Sequence, residues 1–374
     1  MGEGPCVTQS CRDFVYHPKF NCERYISQEL ATNSGLSVGQ DPSLLNTLKR
    51  KRPPSLCVRD ICSVSTFMDC GSDSDSSPEV PRKRVRPPSL SLTEEISFSG
   101  NTCCQQEVTI PVPKEDISIR AFDDYSVEGD GFGGAAARGK RRKHVMEDRL
   151  CTHCNAANDS SIFGIFDGHG GIAAAAFVSE SLPSICEQLI VEGADAKDAL
   201  PKSLLLAEKG FCQTTPSSTS GCTAAVALVE KDRVVIANVG DSRIILVTDA
   251  DVVDLTEDHN VHSEKERNRI EKAGGYIIGN RVEGVLSVTR ALGDRDFKEH
   301  VISTPDTTTL RRSGTDQFLL LASDGIWSVM SSSEAARFIK ENRQRGWGEV
   351  AKALVEFAQH KGSTDDCSVI VVSL

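Results

Sequence analysis

The sequence predicts an α+β fold of antiparallel sheets covered by helices, confined to residues 116–374 of a 374-residue chain. Three observations predict it. Short apolar runs bounded by Gly and polar residues, the pattern of buried strands, fall at 162–166, 223–229, 233–238, 243–247, 318–322 and 368–373. Stretches with helical periodicity at 172–190, 262–273 and 347–360 stand between groups of strands, not after each one as a doubly wound parallel sheet requires. Residues 1–115 show little periodicity and are rich in Ser, Pro, Asp and Arg, as in Gly71-Ser72-Asp73-Ser74-Asp75-Ser76-Ser77-Pro78. Such a segment cannot bury enough apolar surface to offset its ordering, so a largely disordered regulatory region is expected there.

Charge divides the chain in the same place. Residues 1–115 carry 13 Lys+Arg against 14 Asp+Glu, whereas residues 116–374 carry 29 against 39. An acidic folded body argues against nucleic-acid binding and supplies carboxylates for cations. The 14 cysteines are scattered. Cys151-Thr152-His153-Cys154 is a lone C-x-x-C with no second pair, so reduced thiols of an intracellular protein are expected. No signal-peptide core opens the sequence and no apolar run approaches ~18 residues, so neither secretion nor a membrane span is expected. Cys6 stands where a myristoylation signal after Gly2 needs Ser or Thr.

Taken in order, the elements carry a recurring chemistry. Met146-Glu147-Asp148 follows the basic run Arg138-Gly139-Lys140-Arg141-Arg142-Lys143-His144. Strand 162–166 ends in Asp167-Gly168-His169-Gly170-Gly171, and helix 172–190 follows. Ser220-Gly221-Cys222-Thr223 leads into 223–229. Strand 233–238 runs through Asn238-Val239-Gly240-Asp241-Ser242-Arg243 into 243–247, with Leu255-Thr256-Glu257-Asp258-His259 beyond. Helix 262–273 stops at Gly274-Gly275, a plausible C-cap pair, before Leu286-Ser287-Val288-Thr289-Arg290-Ala291-Leu292-Gly293-Asp294. Strand 318–322 ends in Ser323-Asp324-Gly325. Helix 347–360 then leads to Ser363-Thr364-Asp365-Asp366-Cys367-Ser368 and the last strand. An Asp at the end of a buried strand sits on rigid scaffold with its carboxylate at the rim. Three such residues, Asp167, Asp324 and Asp365, would make a hard oxygen site suited to Mg²⁺ or Mn²⁺.

This ordered set resembles the protein phosphatase 2C family, the metal-dependent serine/threonine phosphatases. The resemblance covers roughly residues 120–374. It implies a central antiparallel β-sandwich flanked by α-helices on both faces, with two Mn²⁺ or Mg²⁺ ions in a cleft at one end. It further implies that Asp167 bridges the ions and the Gly168 carbonyl binds one. Asp324 and Asp365 would ligate the other, while Glu147 and Asp148 orient the surrounding waters. His169 would protonate the leaving Ser/Thr oxygen, or else be a turn histidine with local bonds only. Residues 120–374 contain no Cys-x₅-Arg loop, which fits direct attack by water.

Three departures from the family pattern bear on function. The phosphate-binding Arg expected four residues before Glu147 is Lys143, with Arg142 beside it, and Lys offers a point charge instead of a bidentate fork. Ser328 stands where many relatives carry an Asp that helps Asp241 hold a third ion. Two ions are therefore expected, the third is in doubt, and Asp241 is either its ligand or structural. The segment between Gly275 and Val282 is short and lacks the Trp with which some plant relatives engage abscisic-acid receptors, so that coupling is not expected. Lys143 and Ser328 also admit a catalytically weak adaptor that binds kinases; the intact aspartates oppose it.

Residues 1–115 contain a repeat. Lys49-Arg50-Lys51-Arg52-Pro53-Pro54-Ser55-Leu56-Cys57-Val58 recurs as Arg82-Lys83-Arg84-Val85-Arg86-Pro87-Pro88-Ser89-Leu90-Ser91-Leu92. A cationic cluster followed by two apolar residues at i, i+2 of an extended chain resembles the docking peptide recognised by MAP kinases. Lys49, Arg50, Lys51, Arg52, Leu56 and Val58, with Arg82, Lys83, Arg84, Arg86, Leu90 and Leu92, are the docking candidates. The same clusters would serve equally as a nuclear localisation signal. The expectation is a monomeric phosphatase of nucleus and cytoplasm, acting on phosphorylated proteins such as MAP kinases, or on other nuclear substrates if the repeats serve import alone. Its motifs most resemble those of a plant MAP-kinase-directed subgroup, and nucleic-acid and membrane partners are not expected.

Overall fold

The computed structural model describes residues 124–140, 145–155 and 159–374, all within one compact unit. Residues 49–92, the 115/116 boundary, Arg142 and Lys143 lie outside the described residues.

The strands in chain order begin with β1 (Tyr125–Gly129), β2 (Phe132–Ala137), β3 (Arg149–Asn155), β4 (Ser160–Phe166) and β5 (Gly168–His169). Next come β6 (Gly221–Cys222), β7 (Ala224–Val229), β8 (Arg233–Val239), β9 (Arg243–Thr248) and β10 (Val252–Asp254). Two short pieces, β11 (Ile277–Ile278) and β12 (Arg281–Val282), precede β13 (Leu292–Gly293), β14 (Asp306–Arg311), β15 (Asp316–Ala322) and β16 (Cys367–Ser373). The helices are α1 (Ala173–Val191), α2 (Ala196–Thr214), α3 (Glu264–Lys272), α4 (Asp324–Trp327), α5 (Ser332–Asn342) and α6 (Trp347–Lys361).

Two antiparallel sheets form the centre, one in the order β1-β2-β16-β15-β9-β10 and the other β14-β8-β7-β4-β3. Their inner faces share a core of Phe163, Ile165, Ala225 and Ile236 from one sheet and Phe132, Ile244, Leu319 and Ile370 from the other. Alternation along each strand sends the other residues outward. On the five-stranded sheet, Phe166, Val226, Leu228 and Val235 meet Phe177, Leu182, Leu200 and Phe211 of α1 and α2. Helix α6 covers the opposite sheet, so the layers are helix, sheet, sheet, helix. The α+β sandwich expected from the sequence is thus the fold, and each expected strand and helix is present within a few residues of its predicted ends.

A smaller core of Val261, Ile270, Val282, Val288, Ala291 and Val301 supports the excursion between β10 and β14. Helix α3 closes as its glycines predict. Gly274 is left-handed (φ 87°), its N–H donates to Glu271 O, and Gly275 N–H donates to Ile270 O. The β11–β12 hairpin turns on Gly279 and Asn280, both with φ of 59°, the positive-φ pair that matches strand twist.

Candidate active site

The ends of the two sheets bring the strand-end aspartates together. Asp167 leaves β4 with its backbone clamped: its N–H donates to Thr223 Oγ1 (3.1 Å), and Thr223 N–H donates to its carbonyl (2.9 Å). Gly168 and His169 then pair with Cys222 and Gly221 of β6. A Cβ on Gly168 would sit 2.6 Å from the Glu147 carbonyl oxygen, so only glycine lets the Met146–Asp148 turn approach this closely. Glu147 Oε1 accepts from Gly171 N–H (2.8 Å), tying the same turn to the glycines after His169.

On the other sheet, β15 and β16 deliver Asp324 and Asp365. Ser323 N–H donates to Ser368 O (3.1 Å) and Ser368 N–H donates to Ser323 Oγ (3.0 Å), which locks the two strand ends together. A Cβ on Gly325 would lie 1.9 Å from Asp366 O, so the Asp324-Gly325 corner presses on the Asp365-Asp366 turn. Asp366, buried, accepts from Gly139 N–H on one oxygen (2.7 Å) and from Glu147 N–H on the other (2.8 Å). It thereby joins both flanks of segment 141–144 to the Asp365 turn.

The electrostatics follow from this crowding. Burial, then the charges of Asp148, Asp324, Asp241 and Asp365, hold the Asp167 carboxyl well above the carboxylate range. Asp241 is pushed up to about 8 by burial and by Asp324, Asp258 and Asp365, against its own backbone N–H. Asp148 rises to about 7, chiefly through burial, with Asp366 and Asp324 adding to the shift and the Ser368 and Ser323 hydroxyls tempering it. Those two hydroxyls lie near Asp148 but short of full hydrogen-bond geometry, so neither of its oxygens has a completed bond, and the residue is 1% exposed. A buried carboxylate without a completed hydrogen bond is costly, and repulsion from neighbouring carboxylates adds to the cost. A hard divalent cation relieves both penalties, so the donor set fits Mg²⁺ or Mn²⁺. Among the described residues no three His, Cys, Asp or Glu side chains are already arranged to hold one ion.

The raised values set a sign. A carboxyl whose folded pKa is raised contributes stability below its ordinary value, and that contribution is lost as pH rises through the folded value. The chelated protein should therefore lose stability between about pH 4 and the values near 7 and 8 of Asp148 and Asp241. The rise in thermal midpoint on adding Mn²⁺ should grow over the same interval. A rise that is flat or shrinks towards pH 8 would refute this account.

Of the residues singled out in the sequence, Glu147, Asp148, Asp167, Gly168, His169, Asp241, Asp324 and Asp365 all fall where the ends of the two sheets meet. Two others belong with them and were given no role by the motif reading: Asp366, the brace just described, and Asp294, which contacts His169 at 2.6 Å. Both lie inside motifs visible in the sequence, but nothing in a linear pattern says which carboxylate holds a loop and which faces solvent. Ser328 is exposed at the end of α4.

A profile of the family described as Protein phosphatase 2C matches residues 132–367. "Probable protein phosphatase 2C 32" of Oryza sativa subsp. japonica is 36% identical over 268 residues, covering 67% of this chain and 68% of its own length. "Protein phosphatase 2C homolog 1" of Saccharomyces cerevisiae is 36% identical over 263 residues, covering 65% of this chain and 92% of its own. Among solved structures, serine-threonine phosphatase 2C from Toxoplasma gondii superposes with a TM-score of 0.55 at 25% identity, covering 65% of this chain and 94% of that one.

Proposed function

Because the chain belongs to the protein phosphatase 2C family, and so is a protein serine/threonine phosphatase, we propose that its cleft hydrolyses phosphoserine and phosphothreonine with water activated at a Mn²⁺ or Mg²⁺ centre, and that MAP kinases are its substrates. The observation that carries the first part is the gathering of Asp148, Asp241, Asp324 and Asp365 around Asp167, each adding to the rise of its pKa. The family is generally dependent on these metals; two ions is what the resemblance implies, and we propose that number here. When bound, the divalent ions supply Lewis acidity to water and to the phosphoryl oxygens.

The chain's own residues do the rest. Asp167, the Gly168 carbonyl, Asp324 and Asp365 would hold the ions, and Glu147 and Asp148 would orient water around them. Asp241 would hold a third ion if one binds. Lys143 or Arg142 would bind the substrate phosphate, and His169 would give a proton to the departing Ser/Thr oxygen.

The kinase target rests on the N-terminal repeats, since the relatives come from plants and yeast alike. A kinase docked on Leu90-Ser91-Leu92 would be tethered to the catalytic region through residues 93–116. Its phosphothreonine would then see the cleft at raised effective concentration. The same clusters would carry the protein into the nucleus as well as the cytoplasm. Replacing the Lys, Arg and Leu of both copies should leave turnover of a phosphothreonine peptide unchanged and weaken turnover of a dually phosphorylated MAP kinase roughly 10-fold or more. Equal loss on both substrates, or loss on neither, would discard the docking role. Absence of Mn²⁺-dependent release from the peptide would discard the metal mechanism.

A further inference from the structure

His169 does not stand alone in the cleft. Its Nε2 lies 2.6 Å from Asp294 Oδ2, with the imidazole 27% exposed and the carboxyl side chain 2%. Three other described histidines also face carboxylates, but in different settings. The His259 and His300 rings are themselves buried, and the Glu187 partner of His153 is partly open to solvent. An accessible imidazole backed by a buried carboxylate is peculiar to His169 among these pairs.

The fold builds this pair deliberately. The strip β13-β6-β5 sets Gly293 against Gly221 and Gly221 against His169. Asp294 follows β13 with left-handed backbone (φ 45°), and its N–H donates to Ser220 O (3.2 Å). Both side chains lie over Gly221, where a Cβ would come within 2.2 Å of Asp294 Oδ2 and 2.5 Å of His169 Nε2. A carboxylate only accepts, so Nε2 carries the hydrogen of this bond. Nδ1 has no hydrogen-bond partner among the described residues and is left for another molecule.

Resting on the reading of His169 as proton donor, we propose that Asp294 is a positioning residue, which anchors Nε2 so that Nδ1 faces the leaving Ser/Thr oxygen. In the step it serves, the water oxygen forms a bond to phosphorus. The bond from phosphorus to the Ser/Thr oxygen breaks with its electron pair on that oxygen, which takes the Nδ1 proton. The attacking water gives up one proton to solvent and the imidazole regains one, leaving phosphate and a free hydroxyl. Without Asp294 the half-exposed ring would sample other rotamers, and the proton would be out of line for part of the time.

The leaving group provides the test. A threonine alkoxide needs protonation as it departs, whereas p-nitrophenolate leaves readily without it. Wild type, D294N, H169Q and the double variant would be assayed with Mn²⁺ on a phosphothreonine peptide and on p-nitrophenyl phosphate. Asn fits the same space and tolerates φ near 45°. D294N should lower kcat on the peptide roughly 10-fold or more, change kcat on the aryl ester little, and leave KM unchanged; added to H169Q it should cost almost nothing further. Gly221→Ala, whose methyl would push the two groups apart without removing either, should give the same substrate-dependent loss and serves if D294N does not fold. Equal loss on both substrates, or a full additional loss in the H169Q background, overturns the positioning role. If H169Q itself fails to distinguish the substrates, the proton-donor reading falls and the role of Asp294 falls with it.

Discussion

Asp167→Asn is expected to lower kcat/KM on a phosphothreonine peptide by roughly 10³-fold with Mn²⁺ supplied, while raising the thermal midpoint of the chelated protein. The two effects have one cause. Asp167 lies where Asp148, Asp241, Asp324 and Asp365 all oppose its ionisation and where burial adds to the penalty. Its backbone is clamped to Thr223 whatever its side chain does, so Asn can occupy the position without moving β4. Without metal, exchanging the charge for a neutral amide removes repulsion from four neighbours. With metal, the same exchange removes the carboxylate best placed to neutralise the ions. Phosphate release and a calorimetric Mn²⁺ titration would be read beside a chelated melting curve. Activity kept within 10-fold, or a chelated midpoint that falls, would show that Asp167 is held by structure and not by a cation.

The sheets and the strand-end aspartates were legible in the sequence because the same local feature carries both. A buried strand must end, and the residue at its end is fixed in space by the strand. Runs such as Phe318-Leu319-Leu320-Leu321-Ala322 therefore announce the strand and the position of Asp324 together. Strand β2 was not legible. Its sequence, Phe132-Gly133-Gly134-Ala135-Ala136-Ala137, contains no β-branched residue, yet it pairs along its length with β1 and β16. The reason is tertiary: a Cβ on Gly133 would lie 2.1 Å from the Trp347 backbone, so the start of α6 rests directly on the strand. Helix α2 was missed for a related reason. Pro201 and scattered polar residues hide its periodicity, and Leu200, Leu204, Ala207 and Phe211 show their common face only against the sheet. At the site, motif order was enough to single out the aspartates that the structure brings near one another. The roles of Asp294 and Asp366 required knowing which strand ends are neighbours, and that information is not local.

Glu266→Gln should destabilise the folded protein by about 3–5 kcal/mol, the usual cost of breaking a buried ion pair by removing one partner. Glu266 projects from α3 into the protein and is 1% exposed. One oxygen accepts from Arg290 Nη2 (2.7 Å); the other accepts from Arg290 Nε (3.1 Å), Arg269 Nη2 (2.9 Å) and Thr289 Oγ1 (3.1 Å). Arg290 is itself buried and continues to Thr304 O and Asp306, which also receives Lys265. The network binds α3 to the segment that runs into β13 and thence to β14. Burial pushes the Glu266 carboxyl up, but hydrogen bonds and charge from Arg290 and Arg269 outweigh it and bring it to about 2. A depressed carboxyl pKa contributes stability above the ordinary value, about 4.3, and that contribution is lost as pH falls through the folded value. The stability gap between wild type and Glu266→Gln, from urea titrations, should therefore narrow as pH drops from about 4.5 towards 2. A gap that stays constant would mean that Glu266 contributes through shape alone. A gap that closes would locate the stability of this segment in charge.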